Sequence, residues 1–377
     1  MIYLDYAAGT PVDSEVLNTY NDTIKNYYAN PNSNHKLGLI SKNIIDQSTE
    51  SIANNLKVLP EEIIYTSGAS ESNNLVVKGI CERYKNRGKH ILISALEHNS
   101  LVAAATDMQE KGFEVGLIPI TNEGLVDLEA LKSLLRDDTI LVSVCTVDSE
   151  LGLRQPVEEI AELLKSYPNC AFHTDASQSI GKIDFDLKDI DLVTITPHKF
   201  YGLPGTGILI KKKSVSLKPQ INGGKSTTVY RSGTPCTADI TSTAKALDIA
   251  LKNQDERNKY ITELSTKIKE ELKTYPKVVI NNRVSSIPHT INFSIKGVRA
   301  LDIQKRLEEE EIYVSTKTSC CPIETPSKLV YAVTKDKNLS LSSVRLSLSH
   351  LTTPEEVNTF LETFAKIYKE YESNGKI

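Results

Sequence analysis

Short β-branched runs recur through the first two thirds of the chain. They stand at "IIYTS" (63–67), "HILIS" (90–94), "EVGLIPI" (114–120), "TILVSVCTV" (139–147), "CAFHTDA" (170–176), "DLVTITP" (191–197) and "TGILIKK" (206–212). Several are apolar at consecutive positions, as strands buried on both faces read. Segments with helical spacing lie between them, among them "DLEALKSLL" (127–135) and "PVEEIAELLKSY" (156–167). Strands alternating with helices predict an α/β fold with a large, doubly wound, mostly parallel sheet. From about Asp239 to Tyr275 the spacing predicts one long helix or two abutting ones. Residues 276–377 mix "PHTINFSI", "ALDIQKRLEEEE", "SSVRLSLS" and "PEEVNTFLETFAKIYKEY", which predicts a smaller α+β domain. The expected division is a large domain over 15–255 and a small one built from 1–14 and 256–377.

In open α/β sheets, ligands bind beyond the carboxyl ends of the strands. The residues there are Ser67–Asn74, Glu97–His98, Asp148–Glu150, Asp175–Gln178 and Thr196–Lys199. In "TSGASESNN", Gly68 permits a tight turn and Ser70 is expected to cap a helix whose N-terminus suits an anion such as phosphate. Asp175 ends an apolar strand, where a carboxylate is costly unless paired. Either it caps the next helix, or it faces a protonated ring nitrogen. Lys199 follows 24 residues later, again at a strand end, where a solvated surface lysine is out of place. A Schiff-base lysine, a ring-nitrogen aspartate and a phosphate cradle are the parts that pyridoxal 5'-phosphate requires. His98, in "EHNS", adds a flat imidazole able to stack and to move protons.

Composition narrows the classes. The chain has 377 residues, 40% of them hydrophobic, enough for a packed core of two domains. The net charge of −4 is spread over interspersed acids and bases, so a nucleic-acid partner is not expected. No apolar stretch is long enough to span a membrane, and "MIYLDYAAGTP" does not read as a signal peptide. Six scattered cysteines fit a reducing cytoplasm without disulfides, and their spacing suggests no metal site. Cys81, Cys145, Cys170 and Cys236 are expected to serve as small hydrophobes.

With these motifs assembled, the sequence resembles the cysteine desulfurases, within the class V aminotransferase-like, fold type I enzymes that use pyridoxal phosphate. The resemblance runs from "YLDYAAGTPVD" to "SSVRLSLSHLTTPEEV". It rests on "NPNSNHKLG" (30–38), "TSGASESNN" (66–74), "EHNS" (97–100), "ELGLRQP" (150–156), "FHTDASQSIGK" (172–182), "HKFYGLPGTG" (198–207) and "RSGT" (231–234). It implies that Lys199 carries the cofactor, Asp175 pairs with its ring nitrogen, Gln178 touches its phenolic oxygen and His98 stacks on its ring. It further implies that Ala69, Ser70, Thr196 and His198 bind the phosphate. Thr234 would reach the phosphate of the neighbouring subunit in a homodimer. Cys320, beside Cys321 in "VSTKTSCCPIETPS" (314–327), would take sulfur from L-cysteine as a persulfide and hand it to a protein acceptor for iron–sulfur assembly or tRNA thiolation. Lys317 nearby would lower the thiol pKa. Arg345 would clamp the substrate carboxylate with its fork of donors.

The chain departs from the family at Gly9, Ser70, Thr196, Lys317 and, above all, Asp148, where the family has an asparagine beside the cofactor's phenolic oxygen. An ionised carboxylate only accepts hydrogen bonds. It would repel that oxygen unless it were protonated or turned to another partner. Selenocysteine lyase, another lyase or aminotransferase, and a low-activity relative with a binding role remain as alternatives.

Overall fold

The computed structural model describes residues 1–317, 325–375 and 377. All seven apolar runs form strands of one sheet. Their order is Ile63–Thr66, Gly207–Lys211, Leu192–Ile195, Ala171–Asp175, Thr139–Ser143, His90–Ser94 and Glu114–Ile118. Strand pairs from Leu192–Ile195 out to Glu114–Ile118 are parallel, while Gly207–Lys211 opposes both its neighbours. Ile63–Thr66 therefore points with the parallel strands, and the carboxyl ends of all but Gly207–Lys211 gather at one edge.

The unbroken apolar runs follow from burial on both faces. Ile91, Ile93, Leu141 and Leu209 pack with the helices Ala69–Tyr84 and Asn99–Glu110. Their neighbours Leu92, Val142, Ile208 and Ile210 point to the opposite face and meet Val16, Ile52, Leu131, Ile160 and Leu247. The long helical pattern resolves into two helices, Thr237–Lys252 and Gln254–Leu272, separated at Asn253.

The last third builds a second apolar cluster. Val278–Ile280, Thr290–Ile295 and Ser343–Ser347 form an antiparallel sheet with Thr290–Ile295 in the middle. Phe293, Leu346, Ile261, Ile303, Phe360 and Phe364 pack against one another. The final helix, Pro354–Ser373, starts where its sequence says it should. Thr353 and Glu356 form a reciprocal capping box, and Pro354 occupies the first turn. Ile2 and Leu4 join this cluster, and Ile2–Tyr3 pairs in parallel with Ile312–Tyr313. Division after residues 14 and 255 is our proposal, and the separation of the clusters supports it. Among the described residues no helix is long and apolar enough to cross a membrane.

Candidate active site

The residues just past the strand ends surround a cavity of about 410 Å³. Ala69, Ser70, His98, Asp148, Asp175, Gln178, Thr196, His198, Lys199 and Arg345 all line it. Thr234 is exposed and borders a separate depression that shares only Ser67 and Gly205 with the main cavity. Cys320, like Cys321, lies outside the described residues.

Lys199 sits in a single 3-10 turn, Pro197–Lys199, directly after the strand Leu192–Ile195. Its Nζ donates to the backbone oxygens of Ala7 and Ala8, both at 2.7 Å. The N-terminal segment is laced onto this turn, since Thr10 N donates to His198 O and Thr10 Oγ1 accepts from Tyr201 N. Tyr201 has φ +69°, a left-handed conformation that a bulky side chain adopts only under surrounding constraint.

The helix that faces the cavity starts at Ala69, and its N-cap is Gly68, with no side chain to satisfy the first N–H groups. The expectation that Ser70 caps this helix is corrected: Ser70 lies inside the first turn. Gly68 has φ +146°, and a Cβ on Gly207 would lie 2.6 Å from Gly68 Cα. Only glycine fits this close crossing of two segments, which leaves an uncapped helix N-terminus at the cavity wall. Such a terminus favours a phosphate.

Asp175 is buried at the end of its strand. Its Oδ2 accepts from Asn73 Nδ2 at 2.8 Å, and its Oδ1 accepts from Ser177 N at 3.0 Å. Asn73 also donates to Ser100 Oγ, which lies 2.9 Å from His98 Nδ1. One chain of contacts thus runs from His98 to Asp175. His98 Nδ1 accepts from Ser100 N, so its ring proton sits on Nε2. Burial lowers its pKa, which keeps the ring neutral at pH 7. His198 is neutral as well, its pKa lowered to about 4 by burial and then by Lys199 and Lys182.

Gln178 is held from two sides. Its Nε2 donates to Ala7 O at 3.0 Å, and its Oε1 accepts from Lys182 Nζ at 2.8 Å. Burial lowers Lys182 to about 7, with the charges of Lys199 and Arg345 adding to the shift.

Asp148 and Lys317 find partners that the sequence did not name, and Cys236 departs from its expected place. Asp148 turns into its own loop: Oδ1 accepts from Glu150 N and Leu151 N at 2.9 and 2.7 Å, and Oδ2 accepts from Leu153 N at 2.7 Å. Burial raises it to about 6 against these three donors. The repulsion expected from Asp148 is therefore softened, because both its oxygens already receive N–H dipoles. Lys317 Nζ donates to the backbone and hydroxyl oxygens of Thr325, so its ammonium is engaged there. Cys236 is exposed beside Asp239, unlike the buried Cys81, Cys145 and Cys170, so it is not a core hydrophobe.

Sequence reasoning missed Asn73, Lys182, Asp5 and the Ala7–Ala8 carbonyls. Asn73 did leave a signal. It shares a buried helix face with Val77 and Ile80, at spacings of 4 and 7, and a polar residue there needs a partner. The Ala7 and Ala8 contacts are made by backbone, which leaves no mark in side-chain pattern. Among the described residues no group of three or more His, Cys, Asp or Glu side chains converges as a metal site.

The parts match a pyridoxal phosphate site on structural grounds. An uncapped helix N-terminus for the phosphate and a doubly held carboxylate for the ring nitrogen frame one cavity with a lysine amine on its wall. Comparison with known proteins agrees. The aminotransferase class-V sequence profile matches residues 2–360. A cysteine desulfurase IscS of Dictyoglomus turgidum is 35% identical over 371 residues, 97% of this chain and 94% of that protein. The structure of a NifS-like protein superposes with a TM-score of 0.92 at 32% identity, covering 98% of this chain and 99% of the other. SspA in complex with cysteine superposes with a TM-score of 0.82 at 29% identity, over 92% of this chain and 99% of that one.

Proposed function

The chain belongs to the aminotransferase class-V family, among the cysteine desulfurases, and from that premise we propose that it converts L-cysteine to L-alanine and passes the sulfur to Cys320 as a persulfide. The observation that carries this reading is the convergence of Lys199, Asp175, His98 and the uncapped Gly68 helix terminus on one cavity. Pyridoxal phosphate, when bound, supplies the electron sink for carbanion chemistry. Everything else is done by this chain's side chains and backbone.

Lys199 carries the cofactor and takes the Cα proton of the substrate on Nζ, steered by the Ala7 and Ala8 carbonyls. Asp175, held by Asn73 and Ser177, keeps a fixed carboxylate for the ring nitrogen. His98 stacks on the ring and offers Nε2–H. The Ala69 and Ser70 N–H groups, Thr196 and His198 hold the phosphate, with Thr234 from a partner subunit in a homodimer. Gln178 faces the phenolic oxygen, its amide orientation set by Lys182. Arg345 receives the substrate carboxylate. In the sulfur step the Cβ–S bond of cysteine breaks and a bond from that sulfur to Cys320 Sγ forms. Alanine and the persulfide balance cysteine and the thiol. The protein works in the cytoplasm and hands sulfur to a protein acceptor for iron–sulfur assembly or tRNA thiolation.

The test is alanine and sulfide release from L-cysteine in the presence of a thiol reductant. Borohydride followed by peptide mapping must label Lys199. Cys320→Ser must abolish the persulfide while sparing the cofactor's absorption. Release of neither product sinks the function, and loss of the persulfide in Cys321→Ser alone moves the nucleophile by one residue.

A further inference from the structure

Arg345 is 2% exposed, and its guanidinium already has partners. Nη2 forms an ion pair with Asp5 Oδ1 at 2.6 Å, and Nη1 donates to Ser149 O at 2.8 Å. Among the described residues Nε is buried without a partner. The backbone fixes both members of the pair. Asp5 bridges to Ser347, two residues beyond Arg345 on the same strand, and Arg345 exchanges hydrogen bonds with Ser315 on its other side. Asp5 is also three residues from Ala8, whose carbonyl takes Lys199 Nζ. The Asp5–Ala8 segment therefore touches both the reactive lysine and the arginine at the cavity wall.

Resting on the reading of Arg345 as the carboxylate clamp, we propose that Asp5 is a positioning residue that acts as a built-in competitor: it holds Arg345 at the cavity wall and yields Nη2 to the α-carboxylate of the incoming amino acid. Two observations carry this. A carboxylate already sits on the guanidinium where a substrate carboxylate has to bind, with the short, charge-assisted geometry of a strong pair. The orphaned Nε is a buried donor awaiting an acceptor, which native structures rarely leave unmatched. Exchange of one carboxylate for another keeps Arg345 neutralised in both states. A buried guanidinium is thus never left bare, as it would be if the site simply waited empty. The consequence is a deliberate loss of affinity. Substrate binding has to displace Asp5, so removing the charge of Asp5 strengthens binding of any ligand with an α-carboxylate. It leaves amines without one unaffected.

The experiment is isothermal titration of the holoenzyme with L-alanine, the product, and with ethylamine, which lacks the carboxylate. Asp5→Asn keeps size and one accepting oxygen but removes the charge. Its Kd for L-alanine falls at least tenfold, about 1.4 kcal/mol, while the Kd for ethylamine does not move. Asp5→Glu keeps the charge and shows no such gain. An unchanged or weaker Kd for L-alanine in Asp5→Asn overturns the proposal, since a merely structural role loosens the site. Arg345→Met separates this from the parent reading. If it leaves L-alanine affinity intact, Arg345 is not the clamp, and the error lies there. Should Asp5→Asn fail to fold, a crystal structure of the wild-type holoenzyme with L-alanine answers the same question. Ligand carboxylate on Nη2, with Asp5 displaced, supports the exchange, and Asp5 retained on Nη2 overturns it.

Discussion

Asp148→Asn restores the residue type that the family resemblance calls for, and the structure predicts that it does not help. The carboxylate accepts three N–H bonds through both oxygens. An amide has one accepting oxygen. It serves either Glu150 and Leu151 or Leu153, and its NH2 then faces the donor left over. An orphaned buried N–H costs about 1–3 kcal/mol. Against this, asparagine has no charge to bury. Burial raises the folded pKa of Asp148 to about 6 from 3.8, so the folded state binds this proton more tightly than the unfolded chain. For an acid with a raised folded pKa, stability is greatest at low pH and is lost as pH climbs from about 4 through 6. Each tenfold difference in proton affinity is worth about 1.4 kcal/mol, so the loss amounts to about 1.6 kcal/mol by pH 5 and about 3 kcal/mol by pH 8. At pH 8 relief of the charge and loss of the acceptor are therefore similar in size. The variant then matches the wild type to within about 1–2 kcal/mol. At pH 5 the acceptor loss is offset by only half as much, and the stability gap moves against the variant by about 1.4 kcal/mol. Urea unfolding of both proteins at pH 5 and pH 8 reads this directly. A gap that moves the other way means the three N–H donors outweigh burial and hold the folded pKa below its ordinary value. Alanine production should not rise in the variant, because the same loop presents Ser149 O to Arg345. A clear rise would restore the repulsion expected from sequence.

Two further outcomes are expected. Asn73→Ala removes a donor from Asp175 and from Ser100, and the lost charge-assisted bond costs about 1.5–3 kcal/mol in urea unfolding; the cofactor's absorption band should shift with it, and unchanged stability with an unchanged spectrum would show that Asn73 does not hold Asp175. Lys182→Met removes a base whose folded pKa is lowered to about 7, so wild-type stability should rise between about pH 7 and pH 10, as the unfolded chain alone retains that proton; the Met variant should lack this rise, and equal slopes would place the Lys182 ammonium in solvent.

Local order decided which part of this molecule could be read from sequence. Six of the seven strands were legible because a strand buried on its faces must be apolar at consecutive positions, whatever lies around it; the edge strand Glu114–Ile118, with Leu117 exposed, is the exception. Their shared carboxyl edge then selected His98, Asp175, Thr196 and Lys199 without any contact being known, and these residues do meet at one cavity. The cap reading failed at Gly68, where the helix end is left bare, while at Thr353 a side chain does the capping. Only the tertiary structure decided partner choice. Asp5 meets Arg345 across 340 positions, Lys199 meets Ala7 across 192, and Asn73 meets Asp175 across 102. Periodicity sets which face a residue occupies, but it does not select among rotamers or among distant acceptors. The turn of Asp148 into its own loop is the sharpest case. Its identity fixed its charge and its lack of donors, and only the path of residues 149–153 fixed where that charge went.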